Sequence, residues 1–277
     1  MGVGIALALA CAAATQLGFL CKHRGASVAP RVEWQRPLRS ARALLGSKWF
    51  AIGLGIGAGA FLLHVAALAL APLSTVQVVL STGVVMLAVL GDRLFGHSVG
   101  PRQWLGVAMT TTGLALLVLT LPSPDGHHAA FAVPGLLAFE AATLALGTLL
   151  IAAPRLGAPA HHHGALLGAS AGVLFGVSDV AIKALTGNPT VLSPWLLVAL
   201  IAAVLAFFAS ARGFQLGEAV PVIACTSTAA NLTCIVGGIL VFGDALAAGV
   251  LLAVQIVAFG LVAVAALVTP GGRVVTA

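Results

Sequence analysis

The sequence predicts an all-α polytopic membrane protein, with nine transmembrane helices that include an inverted four-helix repeat. The first observation is the composition, because 60% of the 277 residues are hydrophobic, 7% are charged and the mean hydropathy is +1.13. A water-soluble domain carries about 25% charged residues, so the composition excludes a soluble fold. Long apolar runs and an asymmetric distribution of charge are the other two observations, and they set the number and direction of the predicted spans.

Nine apolar runs are long enough to cross the ~30 Å hydrocarbon core of a bilayer at about 1.5 Å per residue. They are rich in Ala, Leu and Val and lack the period-two alternation of a transmembrane β-barrel, which indicates helices. The predicted spans are Gly2 to Cys21, Trp49 to Leu70, Leu73 to Gly91, Gln103 to Leu121, Phe131 to Ala153, Gly164 to Leu185, Pro194 to Ala211, Ala219 to Phe242 and Ala245 to Val268.

Positive charge collects in the loops on one side of this arrangement. All 13 Lys and Arg residues except Lys183 fall in loops that nine alternating crossings place on the same side. Because cytoplasmic loops carry the excess of basic residues, we expect this side to face the cytoplasm. The N-terminus is therefore predicted outside, and the C-terminus inside, a plasma (inner) membrane. Membrane topology and attraction to anionic lipid account for the net positive charge, so nucleic acid is not expected as a partner.

The longest predicted loop, residues 22–48, carries most of this charge, with Glu33 as its one acidic residue. Its stretch from Glu33 to Leu45 is predicted either as a short basic amphipathic helix on the inner leaflet or as a disordered basic loop. In the helical alternative, Trp34 would be an interfacial anchor.

Spans three and eight resemble each other. Each opens near a proline, Pro72 or Pro221, contains hydroxyl residues and ends in Gly-Asp, at Asp92 or Asp244. Their neighbours also match, and an offset of five spans inserts the two copies in opposite directions. The sequence therefore divides into a first repeat (1-122, with the basic loop 22-48), a linker with span five (123-163) and a second repeat (164-277). Many secondary transporters have inverted repeats with a site near the midplane.

Each half of the chain contains short motifs of its own. They are Ala71-Pro72-Leu73-Ser74-Thr75-Val76-Gln77 and Gln103-Trp104-Leu105-Gly106 in the first half, and Phe214-Gln215-Leu216-Gly217-Glu218-Ala219-Val220-Pro221 and Leu240-Val241-Phe242-Gly243-Asp244 in the second. These motifs resemble the drug/metabolite transporter superfamily (EamA-like). The nine spans and the basic first loop look most like its NIPA-type magnesium transporter branch, although Asp244 stands where the superfamily usually has Glu. The resemblance implies gradient-driven transport by alternating access.

Ionisable side chains within the predicted spans are candidate functional residues, because a charge at that depth costs about 2.5 to 3.5 kcal/mol unless it faces a cavity or a partner. Glu140 is predicted either to couple transport and bind a cation, or to be a protonated acid that joins neighbouring helices. His64 is either a ligand or a packed, hydrogen-bonded residue. Asp179 and Lys183, four residues apart, can pair; if Lys183 extends outward instead, Asp179 lines the outer vestibule.

Neutral polar residues in spans three and eight supply the rest of the predicted site. If the repeat axis brings the two helices together, these residues contact the substrate; alternatively they join helices, at about 0.6 kcal/mol for each hydrogen bond. They are Ser74, Thr75 and Gln77 in span three, and Thr226, Ser227 and Asn231 in span eight. The row Gly53, Gly55, Gly57 and Gly59 is predicted to allow close helix packing.

The leading functional hypothesis is a secondary transporter of a small metabolite or of a divalent cation such as Mg2+. The alternative is a non-transporting membrane scaffold or accessory subunit. An enzyme is not predicted, since the sequence has no Walker A loop, no HExxH helix and no interfacial cluster of catalytic residues. No cofactor is expected and no resident metal site is assigned. The expected partners are membrane lipid and the transported molecule, and a homodimer is left open.

Overall fold

The structure, a computed structural model, is helical apart from short connections. It describes residues 2–70, 80, 83–95, 100–120, 131–187, 194–243 and 248–268, and no strand occurs in these ranges. Two short 3-10 helices, Ala153–Leu156 and Ala160–His162, connect α6 to α7. The α-helices are α1 (Gly2–Val28), α2 (Pro37–Leu45), α3 (Lys48–Leu70), α4 (Gly83–Phe95), α5 (Pro101–Thr120), α6 (Val133–Ala152), α7 (His163–Gly187), α8 (Pro194–Leu216), α9 (Ala219–Phe242) and α10 (Val250–Val268).

Within the described residues, five helical segments are long and apolar enough to cross a membrane, or six if the bent pair of α2 and α3 counts as one. The segments are Val3–Val28, Val133–Leu156, Ala160–Leu185, Pro194–Leu216 and Ala219–Phe242. The chain is therefore a multi-pass membrane protein. Helices occupy the described parts of all nine predicted runs, but α5 and α10 carry only shorter apolar segments. Nine crossings thus stay a prediction.

Both halves of the chain share one packing arrangement. In the first half, α1 runs antiparallel to α3, since Gly25 meets Phe50 while Cys11 bonds to the Ala60 carbonyl. It also lies beside α4, where Gln16 approaches Gly83. In the second half, α7 packs in the same way on α8 and α9. An inverted repeat would produce this correspondence, and the repeat itself stays a prediction.

A glycine stripe on α7 brings its backbone against α9. A Cβ added at Gly168 would lie 2.6 Å from the Val222 carbonyl oxygen, and one at Gly176 would lie 2.5 Å from Thr233 Cβ. Because the contacts advance along both helices in the same direction, α7 and α9 are parallel. Small residues at four-residue intervals permit this close approach in membranes. The stripe consists of Gly164, Gly168, Gly172 and Gly176.

The glycine row of span two behaves differently from the prediction. Gly53 lies most tightly against α1, where an added Cβ would be 2.6 Å from the Gly18 carbonyl oxygen. A Cβ on Gly55, Gly57 or Gly59 would meet no atom of the described residues within 4 Å. Residues two apart point about 200° away from one another, so Gly55 and Gly59 cannot share the contact face of Gly53. Gly57, four residues after Gly53, does share that face, and its nitrogen lies 3.4 Å from a Cβ added at Gly18 of α1.

Contacts between helix ends fall into two groups. At the end that carries residues 22–48, here called the loop end, Phe50 of α3 lies edge-to-face against Phe207 of α8, with ring centroids 5.6 Å apart. At the opposite end, Phe131 lies edge-on to Trp195 of α8 and to Phe242 of α9. These pairings are the ones expected if successive spans alternate in direction.

The basic loop is folded onto α8. The Gln215 amide nitrogen donates to the carbonyls of Ala26, at 3.2 Å, and Pro30, at 3.0 Å. Its oxygen accepts from the Val32 backbone N–H, also at 3.0 Å. Of the two alternatives for Glu33 to Leu45, the structure has the helix, over Pro37–Leu45, and Trp34 before it packs against Phe208. Gln215 therefore fastens the loop of the first half to a helix of the second half.

Candidate functional site

Glu140 lies near the midpoint of α6, on the face that meets α7 and α9. Gly147, two turns further along this face, accepts a 2.8 Å hydrogen bond from the Ser170 hydroxyl of α7. Phe139 marks the contact with α9, because its ring would touch a Cβ added at Gly237. Glu140 is 2% exposed, and neither carboxylate oxygen has a hydrogen-bond partner among the described residues. A buried carboxyl group in this state is unstable as an anion unless a proton or a cation joins it.

Asp179 stands where the glycine stripe of α7 ends. The Cys234 thiol of α9 donates to Asp179 Oδ2 across 3.7 Å, and the Asp179 side chain is otherwise exposed. One turn later, Lys183 Nζ lies 4.2 Å from the centroid of the Phe242 ring. Thus α7 meets α9 through glycines in the half nearer the loop end, and through the ionisable residues Asp179 and Lys183 in the other half. Pairing of Asp179 with Lys183 stays a prediction.

The polar residues of α9 divide into two sets. Thr226 is 1% exposed and faces the glycine stripe, and its hydroxyl donates to the Val222 carbonyl at 2.8 Å. Ser227, Asn231 and Cys234 are partly exposed and, at 100° per residue, fall in a neighbouring sector of α9 about 60° wide. Thr226 is therefore packed between α9 and α7 with its hydroxyl bonded within its own helix, and a hydrogen bond from it to another helix stays a prediction. We call Asp179, Ser227, Asn231 and Cys234 the polar strip.

The three members of the polar strip that belong to α9 lie on the side of that helix that faces the first half. Nearer the loop end, Val220 lies in the same sector and Ala224 lies about 20° beyond it. Both are buried in one apolar cluster with Leu20 of α1 and Leu87 of α4. The halves are thus packed closely at the loop end. Further along α9, the same side carries partly exposed polar groups, so the strip begins where this packing stops.

His64 lies in the first half, away from the polar strip. It is partly buried on the face of α3 that carries Ala60 and Ala67. Ala60 accepts a 3.2 Å hydrogen bond from the Cys11 thiol of α1, and Ala67 packs on Ala8. This face places His64 beside α1, at a different helix interface from Glu140.

Three of the predicted site residues, Ser74, Thr75 and Gln77, lie outside the described residues, and so does Asp244 of the Gly-Asp motif. The structure places Asp179 against Cys234, whose sector of α9 also carries Ser227 and Asn231. In the part of the chain that is described, no three His, Cys, Asp or Glu side chains gather into a metal-binding group.

Two further residues were not predicted as functional. Gln215 fastens the basic loop, and the sequence signal for it was its place in the Phe-Gln-Leu-Gly motif before α9. Gln16 on α1 is 5% exposed, its Oε1 has no partner among the described residues, and its amide nitrogen approaches Gly83. An amide in the middle of an apolar run was a signal that could have identified Gln16.

Comparison with known proteins adds one relative. The chain is 25% identical to "Probable magnesium transporter NIPA9" of Arabidopsis thaliana over 262 residues, which cover 89% of this chain and 75% of that protein. The predicted resemblance to NIPA-type proteins is confirmed. No family model matches the chain, and no solved structure matches it.

Proposed function

We propose that the protein is a gradient-driven secondary transporter that moves Mg2+ across the plasma membrane by alternating access. The observation that carries this proposal is the similarity to a probable magnesium transporter along 89% of the chain. The proposal includes no enzymatic step. It places the N-terminus outside and the loop end in the cytoplasm, because that end carries the basic loop.

The polar strip supplies ligands of the type that Mg2+ takes. Asp179 contributes a carboxylate, and Asn231 and Ser227 contribute an amide and a hydroxyl oxygen. Mg2+ is bound through one or two carboxylates while it keeps several of its waters, since it dehydrates reluctantly. One exposed carboxylate with two neutral oxygen donors therefore suits a hydrated ion that passes along α9.

Glu140 supplies the coupling group of the proposal. A carboxyl group that is buried without a hydrogen-bond partner is neutral when it carries a proton and needs a cation when it does not. If Glu140 alternates between a protonated form and an ionised form that holds a cation, Mg2+ movement is linked to proton movement. Its place between α6, α7 and α9 would transmit the change to the helices that carry the polar strip.

Alternating access requires that one end of the pathway closes while the other opens. The halves are packed together at the loop end, where Leu20, Leu87 and Val220 share one cluster and Gln215 holds the basic loop. The partly exposed polar strip lies towards the opposite end. We therefore assign this arrangement to the state that is closed towards the cytoplasm.

The experiment measures Mg2+ entry into proteoliposomes that contain a Mg2+ indicator, with and without an imposed pH gradient. Wild type is compared with Glu140→Gln and with the matched control Glu33→Gln, whose side chain is exposed in the basic loop. We expect saturable entry by wild type and by Glu33→Gln, and entry near the protein-free rate for Glu140→Gln.

Two outcomes would count against parts of the proposal. If Glu140→Gln transports as wild type does, Glu140 is a packing residue and another group couples transport. If folded wild type gives no Mg2+ entry in any condition, the substrate is a small metabolite or the protein is a scaffold or accessory subunit. A thermal-shift screen with metabolites separates these two, because a transporter is stabilised by the substrate that it binds, whereas a scaffold has no substrate to bind.

A further inference from the structure

We propose that α2 is an interfacial helix that binds anionic phospholipid headgroups through Arg36, Arg39 and Arg42, with Leu38 and Leu45 inserted between the lipids. This binding surface is separate from the proposed Mg2+ pathway. It is formed by residues 36–45 at the loop end of the molecule.

The orientation of α2 is that of a helix on the membrane surface. Its axis makes an angle of 90° with the Lys48–His64 part of α3, and only Gly46 and Ser47 separate the two helices. Because α3 runs into the apolar part of the molecule, a helix perpendicular to it lies along the membrane surface. Nine residues that include two arginines are too short and too polar to cross the bilayer themselves.

The side chains of α2 fit an interfacial position. Ser40 and Leu44 are buried against the protein, whereas Leu38 is 86% exposed and Leu45 is 48% exposed. At 100° per residue the two exposed leucines lie about 20° apart, so they form one apolar edge. An exposed apolar edge beside arginines is the pattern of helices that lie within the headgroup region.

Charge identifies the lipid class. Arg36, Arg39 and Arg42 are all exposed, and the only acid between residues 22 and 48 is Glu33. Each Lys or Arg near an anionic leaflet is worth about 1 kcal/mol. Three arginines are thus expected to favour an anionic over a zwitterionic headgroup by about 100-fold.

The position of this surface is fixed by the protein before any lipid binds. Gln215 holds the backbone that leads into α2, and the Ser40 hydroxyl donates to the Glu33 carbonyl at 3.2 Å and accepts from the Glu33 N–H at 3.0 Å. Leu44 is fully buried in the cluster at the loop end. Binding therefore does not have to order the helix, which lowers its entropic cost.

The experiment measures phospholipid binding to the full-length protein in neutral detergent by native mass spectrometry. The probes are phosphatidylglycerol and phosphatidylcholine with identical acyl chains. The test variant is Arg36→Gln/Arg39→Gln/Arg42→Gln. The matched control is Arg93→Gln/Arg102→Gln/Arg155→Gln, which removes three other exposed charges from loops predicted on the same side. The unfolding temperatures of both variants are compared with that of wild type.

We expect wild type and the control to prefer phosphatidylglycerol, and the α2 variant to bind it about 100-fold more weakly. If the triple variant does not fold, Arg39→Gln and Arg42→Gln are tested singly, each with an expected loss of about fivefold. Equal loss in test and control variants would overturn the proposal, since it would indicate general attraction to a basic protein. Unchanged binding by the α2 variant, or no headgroup preference in wild type, would overturn it too.

Discussion

Replacement of Gly172 by alanine should separate α7 from α9. The new Cβ would lie 2.8 Å from Ala229 Cβ and 2.9 Å from the Ala230 nitrogen, and closer still to the Thr226 carbonyl oxygen. Carbon atoms in contact normally lie about 3.5 to 4.0 Å apart, so the helices must move apart by roughly 1 Å. Since two of these atoms belong to the backbone, no rotamer change relieves the clash. Overpacking of this kind costs about 1 to 3 kcal/mol.

The matched control is Gly55→Ala, because an added Cβ there meets no atom of the described residues within 4 Å. Alanine favours a helix over glycine by about 0.8 to 1.0 kcal/mol, so Gly55→Ala should be neutral or stabilising. The assay is thermal unfolding of both variants in the same detergent, in which a loss of about 2 kcal/mol lowers the midpoint by roughly 4 to 8 °C. Equal midpoints for the two variants would refute the close α7–α9 contact.

Two further predictions concern the loop end and the polar strip. Gln215→Ala should detach the basic loop from α8, since each lost hydrogen bond is worth about 0.5 to 1.5 kcal/mol. We expect the rate of amide hydrogen exchange at Val32 to rise at least tenfold in this variant, and to stay unchanged in the control variant Gln35→Ala. Protection equal to wild type would contradict the role of Gln215. Among single-cysteine variants, the one that retains Cys234, which is partly exposed, should react with a membrane-impermeant thiol reagent much faster than the one that retains Cys11, which is buried. Equal rates would show that the strip is closed to water.

The helices could be predicted from hydropathy, but their ends could not. α1 was expected to end at Cys21 and continues to Val28. Its last turns contain His23, whose ring nitrogen lies 3.1 Å from the Gly217 carbonyl oxygen. This contact joins residues 194 positions apart, so a local hydropathy pattern contains no sign of it.

The chemical candidates could be predicted better than their surroundings. An acid in an apolar run identified Glu140, but its burial without a partner depends on how α6 meets two other helices. Thr226 and Ser227 are adjacent hydroxyl residues, and the sequence alone does not distinguish their roles. Only the direction of α7 relative to α9 shows that the first is packed and the second belongs to the polar strip. The spacing of the glycines on α7 likewise does not show which helix they contact; their packing against α9 is seen only in the structure.

The most direct test of the account is Mg2+ flux through the wild-type protein alone. Purified protein is reconstituted into sealed vesicles with an enclosed Mg2+ indicator, and the initial rate is measured against external Mg2+ and against protein-free vesicles. If the protein carries Mg2+ by coupled transport, the rate depends on the protein, saturates with Mg2+ and changes with the pH gradient. A rate equal to that of protein-free vesicles, from protein that still shows its unfolding transition, would contradict it.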